Sequence, residues 1–310
     1  MSRPPGASVG GQAVIEGVLM RTPNGWAVAV RRPDGVIEAR SDELPRLSAR
    51  SRAAKVPMIR GVMVLIESLS LGFRALSWSA TKATDEDEDE VKSRHIAGAM
   101  VVALVFFIGF FMLLPLFIAR GAERVLGESA VVFNVVDGLV RVLLFVGYIW
   151  AIGRSDEIAR VFMYHGAEHK TIHAYESGDP LSIGAIQKYS PRHPRCGTNF
   201  LLIVILIAIV VFTVVGRPGW FWLVASRVLL IPFIAGLSYE VLKLAASHRW
   251  MSIASRPGIW LQRLTTREPT ADQVEVAIAS LLNALDDSER SDVEGRGPVA
   301  PGALEYMVSV

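Results

Sequence analysis

The chain carries a single cysteine, Cys196, among 310 residues. An internal disulfide framework and a four-cysteine zinc site within one chain are therefore excluded. Charge is also scarce: Asp, Glu, Lys and Arg make up 20% of the residues, against about 25% in soluble domains. Nothing in Met1–Gly10 combines an apolar run with a cleavage site, so no signal peptide is expected there. The net charge of +2 carries little information by itself, and no nucleic-acid partner is expected.

What is abundant is apolar side chain. Hydrophobic residues reach 51% and mean hydropathy is +0.38, and the excess is concentrated in Ile96–Ile118, Ala130–Gly153, Phe200–Gly216 and Trp220–Leu242. Each run reaches or approaches the ~20 residues with which an α-helix crosses ~30 Å of hydrocarbon. The fold class expected is mainly α: a polytopic membrane protein with four transmembrane helices, a small N-terminal cytoplasmic β-meander and amphipathic cytoplasmic helices. The lipid bilayer is its first expected partner. Outside the four runs, 27 lysines and arginines fall in residues 1–95, 154–199 and 243–310, and 3 in the two remaining loops. Positive loops stay in the cytoplasm, which places both termini and the 154–199 loop inside.

Met58–Ala80 is also apolar, but Arg60, Glu67 and Arg74 recur along it at seven-residue intervals and form one charged stripe. Burying three unpaired charges in lipid costs several kcal/mol each. An interfacial or bundle-packed amphipathic helix is therefore preferred to a fifth span. Asp85–Glu90, a run of acids, reads as a solvated linker. The expected organisation is a cytoplasmic N-terminal segment (1–57), this helix and linker (58–95), spans one and two (96–153), a His-rich cytoplasmic helix and loop (154–199), spans three and four (200–244), cytoplasmic C-terminal helices (245–287) and a disordered tail (288–310).

The meander is read from Gln12–Met20, Trp26–Arg31 and Val36–Arg40, separated by Asn24-Gly25 and Asp34-Gly35, which are hairpin signals. On a continuous first strand Gln12, Val14, Glu16 and Val18 share one face, and a buried Glu16 would need a partner. Near the C-terminus, Thr270-x-x-Gln273 is a capping box. Val274, Ile278, Leu281, Leu282 and Leu285 follow at helical spacing, predicting an amphipathic surface helix.

The stretch with chemical content is Tyr164-His-Gly-Ala-Glu-His-Lys-Thr-Ile-His-Ala-Tyr-Glu176. A helix is predicted from about Ser155 to Ser177, stopped by Gly178 and Pro180. His165, His169 and His173 then stand at i, i+4 and i+8 on one face, with Glu176 completing the stripe and Glu168 beside it. Either adjacent histidine pair has the spacing to hold one metal ion. All three do not converge on one ion, because His165 and His173 lie roughly 12 Å apart along a straight axis. A third ligand would come from Cys196, His193, Glu176 or Glu16. Zinc or a similar divalent metal accepts such a mixed set. His165-x-x-Glu168-His169 also matches the reversed zinc-protease motif, in which the glutamate activates water. Without metal, the same face could serve as polar packing against lipid phosphates or carboxylates, or as a pH-responsive cluster.

A second constellation lies inside the spans. Asn134, Asp137 and Arg141 recur at i, i+3 and i+7 on the second run, and Arg227 sits on the fourth. Intramembrane ionisable residues face a bundle interior or cavity, so they form either a substrate or ion pocket or a clamp between helices. Pro115 and Pro232 are expected to kink their helices.

Four blocks, Gly10-Gly-Gln-Ala-Val-Ile-Glu-Gly-Val-Leu-Met-Arg21, Tyr164-His-Gly-Ala-Glu-His-Lys-Thr-Ile-His173, His193-Pro-Arg-Cys-Gly-Thr198 and Pro257-Gly-Ile-Trp-Leu-Gln-Arg-Leu-Thr-Thr-Arg-Glu-Pro269, resemble the signature blocks of the YqhQ-like bacterial membrane proteins. The resemblance covers roughly residues 8–287 and departs at Leu19, where methionine is usual, and in long, divergent ends. That family is a domain of unknown function labelled a predicted metal-dependent enzyme. The resemblance implies the bacterial inner membrane and supports His165, Glu168, His169, His173 and Cys196 as site residues, but supplies no substrate. The leading expectation is a cytoplasm-facing zinc-dependent hydrolase, with Glu168 as general base and a lipid-linked molecule or membrane-protein segment as substrate. The alternative is a non-enzymatic transporter or assembly scaffold with a structural metal site or none.

Overall fold

The protein is described from a computed structural model over residues 9–43, 55–84, 93–194, 196–216, 219–247 and 256–308. The acidic run Asp85–Glu90 lies outside the described residues. Strands β1 (Gly10–Val14), β2 (Gly17–Arg21), β3 (Gly25–Arg31) and β4 (Ile37–Glu43) form an antiparallel meander. Helices follow: α1 (Ile59–Lys82), α2 (Ser93–Phe107), a π-helical segment (Ile108–Leu113), α3 (Leu114–Leu126), α4 (Ala130–Ile152) and α5 (Asp156–Ser177). After them come α6 (Ile183–Ile186), α7 (Gly197–Val215), α8 (Trp220–Leu229), α9 (Ile231–Ser247), α10 (Arg256–Thr265), α11 (Ala271–Ala284) and α12 (Asp287–Gly295). A last strand, β5 (Tyr306–Val308), joins β4 in parallel.

The sheet corrects the reading of Gln12–Met20 as one strand. A two-residue turn at Ile15-Glu16, with Glu16 at φ 50°, folds it into a hairpin with Val14 opposite Gly17. Reversal lets each half satisfy its backbone on the other. Val14 and Val18 consequently pack on opposite faces. Val18, Met20, Ala27 and Ala29 join Ile278, Leu281 and Leu282 of α11 and Tyr164 and Ile172 of α5 in the main core. Val14, Leu19, Trp26, Val28 and Val30 meet Leu71 and Ala75 of α1 on the other face.

Helix α11 is not a surface helix, although its Thr270/Gln273 capping box forms as expected. Nearly every side chain from Gln273 to Ala284 is buried, as an apolar surface extending all round a helix requires. Ser280 Oγ donates to Ala27 O at 3.0 Å and Thr22 Oγ1 to Ala284 O at 3.0 Å, fastening it to the sheet. The 288–310 tail, expected to be disordered, is corrected as well. Asp286 and Glu289 cap α12, Val293, Ala300 and Ala303 are buried in the main core, and β5 extends the sheet at the β4 edge. A few apolar residues among many charges suffice when a groove receives them.

Two helical stretches are long and apolar enough to cross a membrane, Val101–Leu126 and Ala130–Ile152. The pair α8 and α9 makes a third if it counts as one span, since it bends by 46° at the break between them. There Pro232 removes a backbone donor. Phe200–Val215 is a shorter apolar helix, so the described residues show two to three spanning candidates where four runs were read. Helix α1 packs on both the sheet and α9. Arg60 forms a two-oxygen ion pair with Glu240, at 2.7 and 2.5 Å, which neutralises one of its three charges inside that packing.

Candidate metal centre

Helix α5 begins after Ser155 and ends where Gly178 adopts φ 79°, a conformation that glycine tolerates, and its N–H caps Ala174 O and Tyr175 O. Its inner face carries Tyr164, Ala167 and Ile172 into the core. The histidine face is covered by the segment leading to α7 and by the end of α10. At Gly166 the crossing is close: a Cβ there would stand 2.0 Å from Arg267 O.

This crossing orients the first two histidines of the face. His165 Nδ1–H donates to Thr265 O at 2.8 Å, and its Nε2 lies 3.2 Å from Cys196 Sγ. His169 Nδ1–H donates to Pro191 O at 2.7 Å. Both backbone oxygens can only accept, so they fix each ring as the Nδ1–H tautomer and leave Nε2 with its lone pair. The donor atoms of His165, His169 and Cys196 all lie within 4.8 Å of one another. His169 is 1% exposed, and its Nε2 makes no hydrogen bond of adequate geometry. Burial holds the His169 pKa below the ordinary imidazole range, keeping the ring neutral. A nitrogen, nitrogen, sulfur set with an orphaned buried lone pair fits zinc or a similarly soft divalent ion.

The other sequence candidates are placed beside or away from this trio. His173 donates through Nε2–H to Arg192 O at 3.0 Å, and its ring lies 4.4 Å from that of His193. His193 is buried, with Nε2 3.5 Å from a Glu176 oxygen, and its ring centroid is 5.7 Å from that of His169. These three form an adjoining polar cluster. Glu168 points toward β1, where a Cβ on Gly11 would come within 2.8 Å of its Cδ. It is buried, Oε2 has no hydrogen-bond partner, and desolvation pushes its pKa up to about 7, with a smaller electrostatic influence of the His165 ring in the opposite direction. Glu16 is committed elsewhere: Arg160 grips both of its oxygens and Tyr164 O–H donates to it at 3.2 Å.

Asn134, Asp137, Arg141 and Arg227 meet in a buried knot. Asp137 receives Arg141 at 3.1 and 3.0 Å and lies 3.5 Å from Arg227, which donates to Asn134 at 2.9 Å. Arg141 also donates to Phe111 O at 2.6 Å and Met112 O at 3.3 Å. Phe111 O is the carbonyl that Pro115, without an N–H, leaves unserved. The knot ties α4 to α8 and to the π-helical segment.

The sequence reading gave no role to Thr265, Pro191 or Gln262. Gln262 holds the His193 backbone on both sides, accepting from its N–H and donating to its O at 2.8 Å each. Backbone acceptors leave no mark in sequence, and a lone glutamine becomes informative only when its partner is known.

Fold and site define a mainly helical protein with a small N-terminal sheet, apolar helices of spanning length and a His/His/Cys cluster between α5 and the start of α7. The model of a protein family of unknown function (DUF1385) matches residues 56–287, and the chain belongs to that family. It is 35% identical over 294 residues to the Bacillus subtilis (strain 168) protein named "Uncharacterized protein YqhQ", covering 89% of this chain and 92% of that one. No solved structure matches.

Proposed function

We propose that the chain is a four-span membrane protein with both termini in the cytoplasm, and that His165, His169 and Cys196 hold a zinc ion serving hydrolysis of a membrane-associated substrate. The observation that carries this reading is the convergence of two tautomer-fixed Nε2 atoms on one thiol. Three protein donors leave the coordination position that catalytic zinc sites keep open. When bound, the ion supplies Lewis acidity toward the scissile group and the attacking water. Glu168, one residue from His169 and buried with Oε2 uncommitted, would be the acceptor for the proton that hydrolysis releases. Helix α5, which carries both histidines, follows α4 by one short turn, and Cys196 directly precedes the apolar helix α7, which favours a lipid-linked molecule or a membrane-protein segment as substrate.

Elemental analysis beside complementation of a deletion strain tests this. Glu168→Gln should retain the metal and lose function as fully as His169→Ala, which should lose both. A fully functional Glu168→Gln protein removes the hydrolase and leaves a scaffold with a closed site. The neighbouring His193 ring, 5.7 Å from His169, is the residue that favours that second reading.

A further inference from the structure

Helix α10 has two faces with different duties. Its inner face, Leu261, Gln262 and Thr265, is buried, and through Gln262 and Thr265 it holds the His193 backbone and His165. Its outer face presents Arg256, Trp260 and Arg263 at i, i+4 and i+7, a single stripe. Both arginines are exposed and Trp260 is 54% exposed. No ion pair or hydrogen bond joins either arginine side chain to a described residue, so two positive charges and an exposed indole share one helix face with no ionic partner among the described residues.

The surroundings indicate what meets them. Helix α10 packs against α7 and α4, two of the apolar helices. At the C-terminal end of α4, Arg154 lies over the Trp150 ring at 3.2 Å and Trp150 is 55% exposed. Arg267, just past α10, donates to Gly153 O at that same helix end. Tryptophan and arginine collect at the level where hydrocarbon gives way to headgroups, the indole lying among the acyl carbons and the guanidinium reaching phosphate. Charge complementarity then selects an anionic headgroup, for which guanidinium offers paired donors.

We propose that α10 docks on anionic phospholipid headgroups through Arg256, Trp260 and Arg263, placing the histidine cluster at the headgroup level. The inference rests on the membrane reading above, and the test separates the two. The full chain, with a photo-crosslinking phenylalanine analogue in place of Trp260, is incorporated in nanodiscs of phosphatidylcholine with a minority of phosphatidylglycerol, and the crosslinked lipid is weighed by mass spectrometry. Phosphatidylglycerol should be enriched at least about fivefold over its bulk share, the factor each arginine near an anionic surface contributes. Arg256→Gln with Arg263→Gln should return the ratio to bulk while the protein stays in the discs. Bulk ratios with both arginines present, or an enrichment that survives their removal, overturn the proposal. So does the absence of lipid crosslinks from incorporated protein, or loss of enrichment on adding millimolar glycerol phosphate, which would identify a soluble phosphate site. A chain that remains in the aqueous phase without detergent refutes the membrane reading itself.

Discussion

Replacing Glu168 with glutamine tests the electrostatics of the site without reference to any reaction. In the metal-free fold the carboxyl pKa rises from 4.5 to about 7, chiefly by desolvation. A group whose folded pKa is raised binds its proton more tightly folded than unfolded, so stability falls as pH climbs from 4.5 to about 7 and stays lowered above. A carboxyl carried over that interval costs the ionised folded state about 3 kcal/mol. Glutamine cannot ionise and escapes this cost, although its amide inherits an Oε2 position without a hydrogen-bond partner. That second penalty is independent of pH, so the readout is the change in the difference between the two proteins. Measured in detergent with a chelator present, Glu168→Gln minus wild type should shift in favour of the variant by about 3 kcal/mol between pH 4.5 and pH 8. At roughly 2 °C per kcal/mol, this is about 6 °C of melting temperature. Parallel melting profiles across that range would refute the burial argument.

The purified protein should carry about one zinc or similar ion per chain, read by elemental analysis; His165→Ala, His169→Ala and Cys196→Ala should each lose it while His173→Ala keeps it. Gly166→Ala should force α5 away from Arg267 O, which its new methyl would meet at 2.0 Å, break the His165–Thr265 bond and weaken metal retention in a chelator competition more than Gly184→Ala, whose Cβ meets nothing within 4 Å. Asp137→Asn leaves Arg141 and Arg227 facing each other without their carboxylate, and should destabilise the detergent-extracted protein by about 3–5 kcal/mol, the usual cost of stripping one partner from a buried pair. Little change in melting temperature would show that water reaches the knot.

Much of the local structure was legible in the sequence because it follows from interactions between near neighbours. Helix α5 runs from Asp156 to Ser177 and ends at Gly178, close to its predicted bounds, since apolar spacing and a terminating glycine act within a few residues. The Thr270 capping box forms for the same reason, as do the hairpins at Asn24-Gly25 and Asp34-Gly35. The turn at Glu16 was not legible, because Ile15-Glu16 carries no turn signature and only strand pairing rewards the reversal. Burial of α11 and folding of the tail were missed because both depend on a groove assembled by the sheet and α5, elements remote from them in sequence.

The sequence by itself determined the chemistry available: two imidazoles one helical turn apart, one thiol, a carboxylate between them and long apolar runs. Tertiary structure decided which of these meet. It brought Cys196 rather than His173 to the His165/His169 pair, turned Glu168 toward β1, engaged Glu16 with Arg160, and used two backbone carbonyls to choose the imidazole tautomers. Spacing along one helix constrains neighbours to a few ångströms, whereas the third donor and the carbonyl acceptors arrive from segments whose approach is set only when α5, α7 and α10 pack.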